Sequence, residues 1–446
     1  MDSPTLLSDR LRASLDLTPT QQFIIAYSGG VDSHVLLHSM SRLCFDRKQL
    51  FAVHVDHGLH EASYEWAQHC QSTAQGLGVP FQIVTLKERP GSGVSVEDWA
   101  RKQRYSSILP LMKQGDIVLT AHHRDDLAET FLLQLFRGAG PHGLSSIPAR
   151  RTFGIGSLVR PLLDVGRSDI RAYAKSFELA WIDDPSNDSE KHDRNFVRHQ
   201  IMPKIAQRWP SATRRILHAA ELQQQASALL DEVADVRLAS ALDQDRGKIR
   251  SDVFVGQDLP RCRWLLRRWI ANAGFPIPDS VHLDAMLSLV AARQDGQPRV
   301  RWKGAELKRY REHLYLSRQF TDIGCEYFSR TWDFGSPLET EAGLLSAKKK
   351  RGFGINAALV ANSEVTVHFR RGGERCRPEN RRHSQSLKRL FQEWGVPPWQ
   401  RSRIPLIFVG DVIAAVAGIC TCVPYAVTQD EMGWEITWSP SAEKSN

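Results

Sequence analysis

The chain has 446 residues, with 58 Lys and Arg against 50 Asp and Glu, a formal net charge of +8 and an isoelectric point near 9.2. Hydrophobic residues make up 42% and charged residues 24%, which excludes a disordered or fibrous chain, leaves room for about three domains of ~150 residues, and puts nucleic acid first among acidic partners. Seven cysteines without a CxxC pair argue against a disulfide framework or structural zinc. With no leader-like N-terminus and no uninterrupted apolar span of ~20 residues, the expectation is a soluble, reduced, cytoplasmic protein without a membrane partner.

In chain order, the first strong signal is "FIIAYSGGVDSHVLL", Phe23 to Leu37. Phe23–Ala26 reads as a short buried strand, and Val35, Leu36, Leu37 and Met40 recur at helical spacing after it. The stretch is therefore strand, glycine turn, helix. The first amides of a helix lack intrahelical partners and carry partial positive charge, and Gly29 and Gly30 let the backbone approach a phosphate closely. Ser28 and Ser33 add hydroxyls on either side of Val31. Asp32 would repel a bare phosphate, so it makes sense where a divalent cation bridges carboxylate and phosphate. Neither GxxxxGK followed by Ser or Thr nor GxGxxG is present, so the two commonest phosphate turns do not account for it.

"LFAVHVDHG", "FQIVTL" and "DIVLTAHH" then read as strands, separated by helical patterns at about 62–77, 96–112 and 125–136. This alternation indicates a doubly wound parallel sheet, in which ligands bind at the carboxyl ends of the strands. Polar motifs sit at three such ends. "HVDHGLH" offers His54, Asp56, His57 and His60, either as a divalent-cation cluster of a phosphohydrolase or as strand-end hydrogen bonders. "VEDWARKQRYSSIL" places Arg101 and Arg104 three apart on one helix surface, suited to phosphate or carboxylate oxygens.

In "AHHRDDLAETFLLQLFRGAG", a helix from about His122 would put His122, Asp126 and Glu129 on one face, with Asp125 at its margin. That stripe suits Mg²⁺ or a cationic substrate. "DDPSNDSEKHDRNFVRHQIMPKI" adds Asp184, Asn187, Arg194, Asn195 and Arg198 in a polar loop before a helix.

Three modules are expected: a catalytic domain at 1–211, a helical middle domain at 212–334 and a small α+β domain at 353–446, with 335–352 as a linker containing "AKKKRG". The middle domain carries Arg261, Arg263, Arg267 and Arg268. From Arg370 to Arg403 there are ten Arg and Lys against three acids, with Phe391, Trp394 and Trp399 interleaved. Basic residues neutralise phosphates, while the aromatics either stack on exposed bases or belong to a core.

At this point the motifs resemble a known family. "SGGVDS" is similar to the PP-loop of the N-type ATP pyrophosphatases. Together with "HVDHGLH", "ARKQRY", "RPLL", "DPSNDSEKHDRNFVRH" and the arginine-rich C-terminal stretch it resembles the tRNA(Ile)-lysidine synthase family, densely in the first 200 residues and the last 80. Between about 240 and 350 little is diagnostic. The resemblance implies ATP as cosubstrate with Mg²⁺, adenylation of the wobble cytidine of a CAU-anticodon isoleucine tRNA with pyrophosphate release, and displacement of AMP by the ε-amine of L-lysine to give lysidine. It assigns Ser28, Gly29, Gly30, Val31, Asp32 and Ser33 to ATP, and Asp32 and Asp126 to Mg²⁺. Asp32, His122, Asp126, Glu129, Arg101 and Arg104 would be catalytic, with Asp126 or Glu129 facing the lysine ammonium or accepting its proton. Arg194, Arg198, Arg370, Arg371, Arg375, Arg381, Arg382, Lys388 and Arg389 would hold tRNA. A PP-loop tRNA thiolation enzyme is the close rival, although "CTC" at 420–422 is far in sequence from the strand-end motifs; a metal-dependent phosphohydrolase is the distant one. A homodimer is left open, since dimerising helices look like other amphipathic helices.

Overall fold

The computed structural model describes residues 3–15, 22–43, 49–91, 96–190, 192–243, 247–291, 298–319 and 328–440. It comprises two compact units, Met1–Glu232 and Val233–Asn446. Among the described residues, no helix is long and apolar enough to cross a membrane.

The first unit runs α1 (Ser3–Ser14), β1 (Phe23–Ala26), α2 (Val31–Leu43), β2 (Leu50–Asp56), α3 (Ser63–Gly76), β3 (Phe81–Thr85), α4 (Val96–Ile108), β4 (Ile117–Leu119) and α5 (Arg124–Phe136). A one-turn α6 (Pro141–Leu144), the hairpin β5 (Arg150–Phe153) and β6 (Gly156–Val159), and α7 (Arg167–Ser176) follow. The sheet order is β3-β2-β1-β4-β6-β5, parallel except for the β5–β6 hairpin. The doubly wound reading therefore holds, and the β5–β6 hairpin is an addition to it.

The apolar run of β1 follows from burial on both faces. Phe23 and Ile25 join Val35, Leu36, Leu37 and Met40 of α2 in one core, while Ile24 joins Val53, Val118 and Leu158 in a core on the other side. Strand order reverses between β1 and β4, where a crevice opens at the carboxyl ends of both strands.

A second run of helix closes the unit: α8 (Asp193–Phe196), a single π-helical turn at Val197–Ile201, α9 (Met202–Arg208) and the long α10 (Ala212–Ala239). Leu217 and Ala220 of α10 pack on Leu127 and Ala128 of α5.

The second unit departs from the expected helical middle domain. Helices Leu259–Asn272 and Ser280–Ala291 pack on a four-stranded antiparallel sheet formed by Lys248–Arg250, His313–Arg318, Ala305–Tyr310 and Arg299–Trp302. Its strands are short, and "AELKRY" buries a charged residue, Glu306, between two apolar ones, which masks the alternation.

The expected linker at 335–352 is also corrected. Gly343–Arg351 is a strand paired along its whole length with Met432–Pro440, and Leu338–Thr340 flanks it. The lysine run is exposed on both faces at the end of that strand, with Lys350 2.7 Å from Glu435 and Lys349 5.1 Å above the Trp434 ring.

Candidate active site

The glycine turn after β1 is built as an anion cradle. Gly29 has φ +86°, a conformation that side chains other than hydrogen rarely adopt, and its carbonyl accepts from the Ile182 amide at 3.0 Å. A Cβ there would lie 2.4 Å from Ile182 Cδ1 and 2.9 Å from Cys70 Sγ. Gly29 is required both by its dihedral and by its neighbours. Helix α2 starts at Val31, so the turn points the first amides of that helix into the crevice.

Both serine hydroxyls hold the turn itself. Ser33 Oγ donates to the Gly30 carbonyl at 3.0 Å and accepts from the Ser28 amide at 3.2 Å, with Ser28 Oγ 3.1 Å away. The phosphate donors of this cradle are thus chiefly backbone N–H groups.

The crevice is a cavity of about 620 Å³, lined by Ser28, Asp32, Ser33, His54, Asp56, Arg104, His122, Asp126, Arg194 and Arg198 among others. Asp32 Oδ1 is buried with no hydrogen-bond partner. Burial, and secondarily Asp126, raises its pKa above the ordinary carboxylate value against the pull of His123. A desolvated carboxylate oxygen with no donor, next to a phosphate cradle, fits a divalent cation. Among the described residues no three His, Cys, Asp or Glu side chains converge as a metal cage. Mg²⁺ held by one carboxylate and substrate phosphates does not need one.

Helix α5 does not begin at His122. His123 is its N-cap: Nδ1 accepts from the Asp125 amide at 3.2 Å, and Asp126 Oδ2 accepts from the His123 amide at 3.0 Å. His122 stands before the helix, with Nδ1 2.9 Å from Thr120 Oγ1 and its ring in the cavity. Burial pushes its pKa down to about 3, so it is a neutral imidazole.

His123, which the sequence reading passed over, is 1% exposed and faces three aspartates. Its Nε2 lies 3.7 Å from Asp32 and 3.5 Å from Asp126, and its Nδ1 3.6 Å from Asp125. Burial opposes its charge, but those carboxylates raise its pKa above the ordinary value. The capping spacing, a side-chain acceptor three residues before an acid, was its signal in the sequence. Asp125 is further fixed by the Arg167 amide at 2.8 Å.

Asp126 and Glu129 are clasped by two arginines. Arg194 reaches Asp126 Oδ1 at 2.8 Å and Glu129 Oε2 at 3.0 Å; Arg198 reaches Asp126 Oδ1 at 3.1 Å and Glu129 Oε1 at 2.6 Å. The π-helical turn carries Arg198 beside Arg194, so that both forks meet the same pair of carboxylates. Burial works against ionised Asp126, but His123 and Arg194 hold it down at about 2. Glu129 is 2% exposed and lies behind Asp126, outside the cavity lining.

Three expectations change accordingly. Both Asp126 oxygens already accept hydrogen bonds whereas Asp32 Oδ1 accepts none, which favours Asp32 over Asp126 as the Mg²⁺ ligand. Glu129 lies outside the cavity lining, and Asp126 is held ionised by His123 and Arg194. Arg194 and Arg198 belong to this buried network rather than to an open basic surface.

Arg104 lines the cavity, whereas Arg101 lies outside it with its guanidinium 5.3 Å from the Tyr105 ring centroid. The histidine motif stays together at the cavity, which His54, Asp56, His57 and His60 all line, but each ring has its own partner. His54 Nδ1 meets the Tyr27 carbonyl at 3.0 Å, His57 sits beside Trp99, and His60 stacks on Trp66 at 4.7 Å. Asp184, Asn187 and Asn195 also line the cavity.

In the second unit the basic residues are partly matched by acids. Arg370 lies 3.5 Å from Glu374, and Glu393 takes both Arg381 at 2.8 Å and Arg389 at 3.0 Å. Arg375 donates to the Ser384 carbonyl at 3.0 Å, while Arg371, Arg382 and Lys388 are exposed. Phe391 is fully buried and Trp394 packs against the same core; Trp399 packs edge-on to Tyr310 and Tyr315. Phe391 and Trp394 are thus committed to a core, while Trp399 is half-buried among the two tyrosines with Lys308 over its ring. Arg263 pairs with Asp284 at 2.6 Å and Arg268 with Asp235 at 2.5 Å.

Three family models match the sequence: the PP-loop domain over residues 5–205, the TilS substrate binding domain over 252–315 and the TilS substrate C-terminal domain over 365–438. The second falls in the stretch where the sequence itself offered little. A tRNA(Ile)-lysidine synthase of Coxiella burnetii is 40% identical over 430 residues, covering 95% of this chain and 94% of that protein. Those of Alkalilimnicola ehrlichii and Methylococcus capsulatus are 38% and 37% identical, covering 94% and 96% of this chain and 94% and 100% of theirs.

Proposed function

Because the chain belongs to the tRNA(Ile)-lysidine synthase family, a family of ligase-type, tRNA-modifying PP-loop enzymes, we propose that it joins L-lysine to C2 of the wobble cytidine of CAU-anticodon isoleucine tRNA in the cytoplasm. ATP adenylates the C2 oxygen, pyrophosphate leaves, and the lysine ε-amine then displaces AMP. The observation that carries this reading is the pairing of a phosphate cradle at the β1 turn with a buried, partnerless Asp32 oxygen in the same crevice.

Each step maps onto residues of this chain. The turn amides around Gly29 and Gly30 receive the departing pyrophosphate and offset the charge it gains. Asp32 would hold Mg²⁺, which when bound neutralises phosphate charge and polarises the phosphoryl oxygen. Neutral His122 and Arg104 line the cavity beside the activated base. Asp126, kept ionised and oriented by Arg194 and Arg198, faces the incoming ammonium, and Glu129 is a positioning residue acting through those arginines. The exposed Arg371, Arg375, Arg382 and Lys388 contact tRNA phosphates.

The test is incubation with ATP, radiolabelled lysine and the CAU-anticodon tRNA. Label in the RNA, with one AMP and one pyrophosphate per lysine, is the expected result. Label absent from the RNA, or ATP consumed to ADP, contradicts the reading.

A further inference from the structure

Beside the cavity lies a group of arginines that the mechanism above leaves largely unused. Tyr105, next to Arg104 on α4, has the Arg101 guanidinium 5.3 Å from its ring centroid and the Arg151 guanidinium also at 5.3 Å. Its hydroxyl is a hydrogen-bond partner of Arg160. Arg160, the first residue after β6, is only 3% exposed, donates to the Pro148 carbonyl at 2.6 Å and leaves its Nε buried without an acceptor. Arg104 is drawn into the cavity wall.

Three guanidinium groups thus meet one tyrosine with Arg104 electrostatically coupled to it, and among the described residues no carboxylate forms an ion pair with any of the four. Burial lowers the pKa of both Arg104 and Arg160, Tyr105 works against that shift, and neighbouring arginines add to it. The same structure shows the alternative a few residues away, where Arg194 and Arg198 are matched by Asp126 and Glu129. Cations gathered without ion-paired acids, two of them over an aromatic ring, make a seat for a phosphate.

We propose that Arg101, Arg104, Arg151 and Arg160 bind a backbone phosphate of the RNA substrate where it enters the cavity. The proposal rests on the tRNA-ligase reading and adds the path of the RNA. Arg101 and Arg151 are exposed and lie outside the cavity lining, so the positive charge continues from the cavity wall onto the surface. A polyanion that extends beyond the cavity fits this arrangement. A triphosphate enclosed by the cavity, with its own cradle at the β1 turn, does not need it.

Binding of a CAU anticodon stem-loop RNA is measured against salt concentration for the full chain and for Arg151→Gln and Arg151→Lys. Arg151→Gln is expected to weaken RNA binding several-fold and to reduce the slope of log affinity against log salt by about 0.7–1, the value for one phosphate contact. Arg151→Lys restores most of the slope, and KM for ATP stays unchanged in both. An unaltered RNA slope in Arg151→Gln overturns the proposal, as does a rise in KM for ATP without loss of RNA binding, which would assign the seat to nucleotide phosphates. Wild-type protein that incorporates lysine while the slope is unaltered leaves the function standing without this seat. A reduced slope in a protein that incorporates no lysine leaves the seat standing without the function.

Discussion

Two groups of arginines reach the neighbourhood of His122, and they differ in what faces them. Arg194 and Arg198 meet Asp126 and Glu129 in a four-residue network in which every carboxylate oxygen but one receives an arginine fork. The remaining oxygen, Asp126 Oδ2, caps its own helix. Arg101, Arg104, Arg151 and Arg160 meet a tyrosine ring, a backbone carbonyl and each other. The first group is structural and sets the charge of a site carboxylate. The second is a surplus of cations waiting for an anion. Counting arginines cannot separate the two, because only the partners differ.

Removing one side of the matched group is expected to have the largest effect. Arg198→Ala leaves Asp126 and Glu129 buried with half their cation, which costs about 3–5 kcal/mol of stability, read as a lower denaturation midpoint. Arg151→Ala removes an unmatched, exposed cation and is expected to change stability by no more than ~0.5 kcal/mol. Equal losses for both variants would break the comparison.

Asp32 sharpens it from the acidic side. Its raised pKa means that the ionised carboxylate destabilises the protein above that pKa and that the penalty disappears as pH falls through it. Asp32→Asn is therefore expected to raise Tm of the ligand-free protein by a few °C while abolishing lysine transfer. Asp126 has the opposite sign. Held at about 2, it contributes stability that is complete above the ordinary carboxylate value near 4 and is lost as pH falls from there toward 2. Asp126→Asn should flatten that acid limb in a pH–denaturation series.

The smallest effect belongs to the exposed pairs of the second unit. Glu393→Gln releases Arg381 and Arg389 at the cost of surface ion pairs worth about 0–1 kcal/mol, and should leave tRNA binding equal or slightly stronger.

The sequence made the nucleotide crevice readable because its signals are local. A β-branched run, two glycines and a helical repeat all fall within fifteen residues, and strand–helix alternation orders the sheet. The helical repeat of α5 extends by pattern to His122, one residue before the true N-cap His123, whose role the repeat therefore hides. What could not be read is pairing across distance. Glu129 and Arg198 are 69 residues apart, and nothing local tells a buried clasp from a catalytic base or an RNA contact. The strand at Gly343–Arg351 finds its partner at Met432–Pro440, so a lysine run with no nearby partner looked like a linker. Trp399 likewise meets Tyr310 and Tyr315, far upstream, and nothing local announces that packing.

The proposed activity turns on backbone amides at the β1 turn and the partnerless Asp32 oxygen acting together on metal-bound diphosphate. Calorimetric titration of pyrophosphate into the wild-type protein and Asp32→Asn, with and without Mg²⁺, addresses this without RNA or lysine. The predicted result is binding by wild type that strengthens at least about tenfold with Mg²⁺, a difference of ~1.4 kcal/mol, and loss of that strengthening in Asp32→Asn. Pyrophosphate bound equally well by both proteins, with or without the metal, would contradict it.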